Sequence, residues 1–297
     1  MTETAATIAT LEKDTMPPPR NLWQDTLIRF RHHRVGMIGA VIIGVLIITA
    51  IFGPTIAPHE PNFMDFSSAF GSPSLKHPLG TDDFGRDTLS RIIYGARVSL
   101  LVGLAAVGIA APLGTLLGMV AGYSTRFIDE VIMRAMDVLF AFPAILLALA
   151  IMAILGKGFI NAMIAIGIVY IPIFARIARG AVLSVKNEEF VTVARALGAR
   201  DSEILSRHIF PNILAPIIVE ISLSLSFAIL AEAALSFFGL GTQPPNPSWG
   251  RMLSEGREFY HQSAWLSIFP GLAIMITVIG FNFVGDGLRD VLDPRLR

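Results

Sequence analysis

The sequence predicts an all-α membrane protein with six transmembrane helices. Three observations carry that expectation. Hydrophobic residues fill 53% of the 297 positions and charged residues only 15%, against about 25% charged in a soluble domain. Mean hydropathy is +0.64, so too little polar surface exists to solvate a globule of this length. Uncharged runs also recur at the length, roughly 20 residues, that carries a helix across the hydrocarbon core. A helix is the form that pairs every backbone polar group within its own segment, as lipid requires.

The elements follow in order. Residues 1–34 form a polar tail with a Pro17–Pro18–Pro19 run, and Arg29, Arg31 and Arg34 lead into the first apolar stretch. That stretch, Val35 to Ile56, is 22 residues without a charge. A signal peptide has a shorter apolar core nearer the start and a small-residue cleavage site, so an uncleaved span is expected. After a long connection over 57–97, the uncharged runs Val98–Tyr123, Val138–Leu155 and Phe159–Ala175 give spans two to four. Gly156 to Gly158 is tight enough to force an antiparallel hairpin between spans three and four. Ile213–Phe238, apolar except for Glu220 and Glu232, gives span five, and Ala264–Val284 gives span six. The layout is a first helix at 35–56 and a five-helix core at 98–285. A loop at 176–212 lies within that core, and a tail at 286–297 follows it.

Orientation follows from the bias of Lys and Arg toward cytoplasmic loops. Sixteen of the 23 basic residues fall in the two tails and in the loops after spans two and four, and seven in the other connections. Both termini are therefore expected in the cytoplasm. Of the two long connections, 57–97 is then external and 176–212 cytoplasmic. Long polar connections in a compact protein are where partners dock.

Other classes are disfavoured. Net charge is zero, with 23 basic and 23 acidic residues, which implies no nucleic-acid partner. Cysteine is absent, removing disulfides, thiolate metal sites and cysteine nucleophiles together. The six histidines, His32, His33, His59, His77, His208 and His261, lie outside the spans with no HExxH or paired-ligand spacing, so no metal site and no catalytic zinc are expected. No GxxxxGK[ST] occurs, so any ATP is hydrolysed by another chain, and no catalytic residue or cofactor is assigned to this one.

Within the spans, Ala106, Ala110, Gly114, Gly118 and Gly122 place a small residue at every fourth position, a ridge that lets helix backbones approach closely. Helix packing is the preferred reading of it. Spans two to six each hold one proline, Pro112, Pro143, Pro172, Pro216 and Pro270, which suggests a bent, cavity-lining bundle. Glu220 sits well inside span five and shares a helix face with Ser224, Phe227 and Ala231. It either lines a pathway or joins two helices by a hydrogen bond. Glu232 and Asp137 fall near span ends, where snorkelling accounts for them.

The 176–212 loop reads as two short helices. Asn187 is an N-cap, with Glu188 and Glu189 at the positive end of the dipole. Phe190, Val193, Ala194 and Leu197 make an apolar stripe, and Gly198 ends the helix. Asp201 caps a second helix that runs to a break at Pro211. A helix-turn-helix is disfavoured, because both ends are tied to membrane spans. Connective packing on the membrane surface and a docking element that transmits a partner's motion remain.

At this loop the sequence resembles the EAA loop of permease subunits of ATP-binding cassette importers. Ala194, Gly198 and Pro211 match that pattern, while Thr192 and Val193 replace Glu-Ala, and His208 and Phe210 stand where Ile and Leu are usual. The segments His77–Asp87 (HPLGTDDFGRD), Leu89–Leu100, Ala233–Pro245 with Ser248-Trp249-Gly250, and Asn282–Pro294 are similar to the dipeptide/oligopeptide/nickel branch, in its second permease. The likeness covers nearly the whole chain after Leu22.

The resemblance implies a type I importer permease fold in a bacterial inner membrane. It implies a second, homologous permease, two ATP-binding subunits that hold ATP and Mg, and an external substrate-binding protein. Phe190, Val193, Ala194, Leu197, Gly198 and Pro211 would couple to the ATPases. Gly80, Asp82, Asp83, Gly85, Arg86 and Asp87 carry the external signature, expected as a turn leading into a surface helix and a lid on the permease pair. Dipeptides or oligopeptides are the implied cargo, with nickel or another small solute as the alternative. An ion-coupled secondary transporter using Glu220 and an aspartyl protease using Asp137 and Asp286 are the competing classes.

Overall fold

A computed structural model describes residues 22–292, all helices and loops apart from one isolated bridge between Thr81 and Asp87. The parts of both tails at 1–21, with the proline run, and at 293–297 lie outside the described residues. The helices are α1 (Leu22–His32), α2 (Arg34–Ile56), α3 (Thr88–Tyr123), α4 (Arg126–Phe140), α5 (Ala144–Leu155), α6 (Phe159–Val185), α7 (Glu189–Ala196), α8 (Phe210–Phe237), α9 (Trp249–Glu258) and α10 (Trp265–Leu292). A short turn at Asp201–Glu203 and a π-helical stretch at Ile204–Ile209 lead into α8. Asp201–Phe237 is thereby one rod of 37 residues.

Among the described residues, five helices are long and apolar enough to cross a membrane: α2, α3, α6, the 201–237 rod and α10. The expected third span, Val138–Leu155, is corrected. Its helix breaks after Phe140, and α4 and α5 meet at a bend of 91°. Pro143 offers no N–H and forces the residue before it out of helical geometry. The twelve residues of α5 reach only about 18 Å, short of the roughly 30 Å core. A sixth crossing exists only if the bent pair makes it together.

Two other boundaries move outward. α3 begins at Thr88 rather than Val98, and α6 continues to Val185 rather than ending at Ala175, so the connection after span four starts near Lys186. Arg97 and Arg176 bound the uncharged runs but do not end the helices, and two arginines within the added turns are paired. Arg91 reaches Glu255 at 3.3 Å and Arg176 reaches Asp137 at 2.9 Å. Of the five prolines, Pro112, Pro172, Pro216 and Pro270 sit inside continuous helices, and Pro143 alone marks a break.

The small-residue ridge on α3 is the central seam. All five of its residues are buried, and it packs along α6, the most extensive helix pair among the described residues. A Cβ added at Gly114 would lie 2.5 Å from the Ile171 carbonyl oxygen, and one at Gly118 2.2 Å from that of Ala175. Such backbone approach is what a small residue every fourth position permits. By contrast, α2 is peripheral, burying only Gly36, Gly39 and Gly53 against α10 and α3.

His33 Nδ1 accepts from the Gly36 N–H at 3.0 Å while its Nε2 meets Asp290 at 3.1 Å. The start of α2 and the end of α10 therefore share one end of the bundle. Alternation of the long helices puts α7 at that end too. The 57–87 segment, the Gly156–Gly158 hairpin and the α8–α9 loop lie at the other, where Gly158 N–H donates to Leu240 O at 2.9 Å.

Candidate functional site

At the α7 end, local sequence builds a small rigid platform. The N-cap of α7 is Glu188, one residue past the expected Asn187, and no side chain caps it. Asn187 Nδ2 instead reaches back to the Leu183 carbonyl at 3.4 Å. At the other end Gly198 takes a φ of +88°. Its N–H donates to Arg195 O and that of Ala199 donates to Ala194 O, at 3.0 and 3.1 Å, the paired bonds of a Schellman ending.

The expected apolar stripe divides in two. Val191 and Ala194 point inward and are buried, while Phe190, Val193 and Leu197 are exposed at 42%, 50% and 83%. Ala194 therefore belongs to the platform's root, and the other three form an apolar knuckle. Asp201 does not cap the following helix, whose N-cap is Arg200. It accepts a hydrogen bond from the Tyr123 hydroxyl at 2.6 Å, and Arg195 Nη2 donates to that same hydroxyl at 3.3 Å. Lys186 Nζ donates to Gly122 O at 2.8 Å. The platform is thus tied to the end of α3.

Pro211 does not break the chain. The π-helical stretch just before it bonds Phe210 N–H to Leu205 O, one residue beyond the α register. Pro211 then occupies the first turn of α8, where a missing N–H costs no ladder bond. Beside the platform, α4 and α6 are joined by Arg179 to Asp129, with Nη2 to Oδ2 at 2.6 Å, and by Arg176 to Asp137. Asp137 is exposed and pairs with a cation rather than with a second carboxylate, so the aspartyl dyad with Asp286 has no basis in this geometry.

In the bundle, Glu220, Ser224 and Phe227 follow one another along α8. Ser224 is buried and donates to Glu220 Oε1 at 2.8 Å, a bond within one helix. Phe227 alone of the three lines a cavity of about 260 Å³, with Ile145 and Ala148 of α5, Val169 and Tyr170 of α6, and Ala231 of α8. Its walls are almost wholly apolar.

Sequence reasoning passed over the most deeply buried acid. Glu232 is 1% exposed, not snorkelling, and accepts from Ser99 Oγ of α3 at 3.0 Å and Ser236 Oγ at 2.7 Å. The signal was available, since Glu232 and Ser236 repeat the i, i+4 spacing of Glu220 and Ser224. Replacing Glu232 by leucine strands two buried hydroxyls at a cost of about 1–3 kcal/mol each. The thermal unfolding temperature of the solubilised protein should fall markedly, and less for Glu232→Gln. An unchanged temperature for the leucine variant would refute this role.

At the opposite end, the 80–87 signature is a folded cap, and the helix it leads into is α3 itself rather than a separate surface helix. Asp82 Oδ1 accepts the N–H groups of Phe84 and Arg86 at 3.0 and 2.9 Å, and its Oδ2 pairs with Arg86 Nε at 2.6 Å. Asp87 Oδ2 caps α3 through Ser90 N–H at 2.8 Å. Gly85 has a φ of +73°, and a Cβ there would overlap the Asp65 carbonyl at 1.8 Å. Trp249 Nε1 closes the cap by donating to Ile92 O at 3.0 Å. Asp82, Arg86 and Asp87 are all buried. Asp83 is less so, and burial followed by the neighbouring Asp82 pushes its carboxyl above the ordinary value. With Phe84, Phe238, Arg251 and Glu258 it lines an open cleft.

Comparison with known proteins agrees with this arrangement. Residues 114–297 match the model for the inner membrane component of binding-protein-dependent transport systems. Residues 21–78 match that for the N-terminal transmembrane domain of oligopeptide transport permease C. The chain is 46% identical to a dipeptide transport system permease protein of Alkalihalophilus pseudofirmus, covering 100% of this chain and 99% of that one. It is 43% identical to a putative peptide transport system permease protein of Brucella abortus, covering 100% and 99%. It is also 46% identical to a glutathione transport system permease protein of Escherichia coli, over 94% of this chain and 92% of that one.

Proposed function

Since this chain belongs to the family of inner membrane components of binding-protein-dependent transport systems, we propose that it forms half of the translocation pathway of an ATP-driven importer of small peptides. It is a multi-pass membrane subunit and not itself a catalyst. The relatives named for dipeptides, peptides and glutathione support a peptide cargo over nickel, and the family match disfavours an ion-coupled carrier.

One observation carries the mechanism. Phe190, Val193 and Leu197 present an exposed apolar knuckle at the end of the bundle richest in Lys and Arg, the cytoplasmic end by charge bias. An ATP-binding subunit, holding ATP and Mg, seats on that knuckle. A second, homologous permease covers the cavity lined by Phe227, and an external binding protein delivers cargo to the capped end. Closure of the ATPases displaces α7, and the Tyr123–Asp201–Arg195 contacts pass the displacement to α3 and the 201–237 rod.

The test is purification of the full-length chain from gently solubilised membranes. Recovery with a second permease and P-loop ATPases, and loss of di- and tripeptide uptake on deleting the gene, are the expected results. Recovery alone would overturn the importer reading. Intact peptide uptake in the deletion strain, with the complex still forming in the parent, would overturn the peptide cargo.

A further inference from the structure

We propose that His59, His77 and Asp87 form a binding site for a divalent metal ion of zinc type in the cap opposite α7. The residues lie far apart in sequence, and no ligand spacing announces them. The fold brings one donor atom from each to within 4.8 Å of the others. Asp87 commits Oδ2 to the N-terminus of α3 and turns Oδ1 to both imidazoles, 2.9 Å from His77 Nδ1 and 3.8 Å from His59 Nδ1. Tetrahedral bonds of about 2.0–2.1 Å hold neighbouring ligands about 3.3 Å apart. The two distances lie either side of that value.

The donors are also pre-positioned. His59 N–H donates to Ser90 Oγ at 3.0 Å, and His77 N–H to Ser74 Oγ at 3.1 Å. The two rings stack with centroids 4.7 Å apart. His59 Nδ1 is buried with no hydrogen-bond partner, as is His77 Nε2. Neither ring is therefore committed to a polar network beyond this carboxylate. A buried orphan nitrogen aimed at a buried carboxylate is a costly arrangement that a cation relieves.

Two imidazoles and one carboxylate suit zinc, whereas calcium and magnesium favour all-oxygen shells. The ion would join three segments: the exit of α2, the turn before the signature and the first turn of α3. It clamps the cap and takes no part in the chemistry of transport.

The test uses the full transporter without a histidine tag, stripped by chelator and titrated with zinc chloride. His59→Phe preserves the ring stack while removing a donor, and leaves Asp87 and His77 to hold the cap. One zinc per chain with a raised unfolding temperature is expected in the parent. Binding at least about tenfold weaker, with no thermal shift, is expected in the variant. Cobalt should give tetrahedral visible absorption in the parent only. Equal zinc binding by both proteins would assign the ion to other surface histidines and overturn the proposal, as would no binding by the parent.

Discussion

Gly118→Leu is expected to abolish accumulation of folded protein, while Gly108→Leu, ten residues earlier on the same helix, leaves it unchanged. A Cβ at Gly118 would stand 2.2 Å from the Ala175 carbonyl oxygen and 2.8 Å from Ala178 Cβ, whereas nothing lies within 4 Å of one at Gly108. The first obstacle is backbone, so no side chain can rotate away and α3 must part from α6. Overpacking a rigid interior costs about 1–3 kcal/mol and more when backbone must move. The whole fold is stable by only about 5–15 kcal/mol. Fluorescence-detected size-exclusion of tagged variants gives the comparison. Equal monodisperse yields for the two leucine variants would show that the seam is not where stability resides.

Leu197→Asp is expected to abolish uptake at unchanged expression, with ATP hydrolysis no longer responding to the loaded binding protein. Leu197 is 83% exposed, so an aspartate there stays in water in the isolated chain and costs the fold nothing. On docking, that charge enters an apolar contact. Truncation of a central anchor typically costs about 2 kcal/mol or more, about 30-fold in affinity. Val191→Asp is the contrasting control, because Val191 is fully buried and its variant should fail to accumulate. Gly198→Asp is a less clean probe, since its φ of +88° adds backbone strain to any docking effect. Full coupled uptake in Leu197→Asp would remove the knuckle from the ATPase interface.

The spans were legible because lipid imposes one crude requirement, length without charge, that runs of residues display directly. The α3 ridge was legible for the same reason, since spacing by four is a local property of a helix. What escaped was whatever depends on partners distant in sequence. Arg176 bounds the fourth uncharged run, and nothing local in the sequence shows that it meets Asp137 and lets the helix continue. Glu232 looked tolerable only at a water interface, because Ser99, 133 positions away, was invisible. In the sequence, Pro143 is one span proline among five, with nothing local to set its break apart. Proline content is local, but whether neighbouring helices hold a helix straight through it is not. Within the 176–212 loop the stripe is legible, but which side of α7 faces inward depends on the core that Val191 shares with Ile204 and Ile209.

The uninterrupted run from Asp201 to Phe237 has a mechanical consequence. At about 1.5 Å per residue its 37 residues extend about 55 Å, well beyond the roughly 30 Å of hydrocarbon. Its overhang begins beside α7, where a partner's force would arrive. Pivoting such a beam by only about 5° about its far end sweeps the near tip through roughly 5 Å, nearly the pitch of one helical turn. The membrane portion therefore needs to yield only a few degrees for a full turn's travel at the platform, and the leverage runs equally in reverse. Small adjustments around the cavity at Phe227 would register as large displacements at the platform.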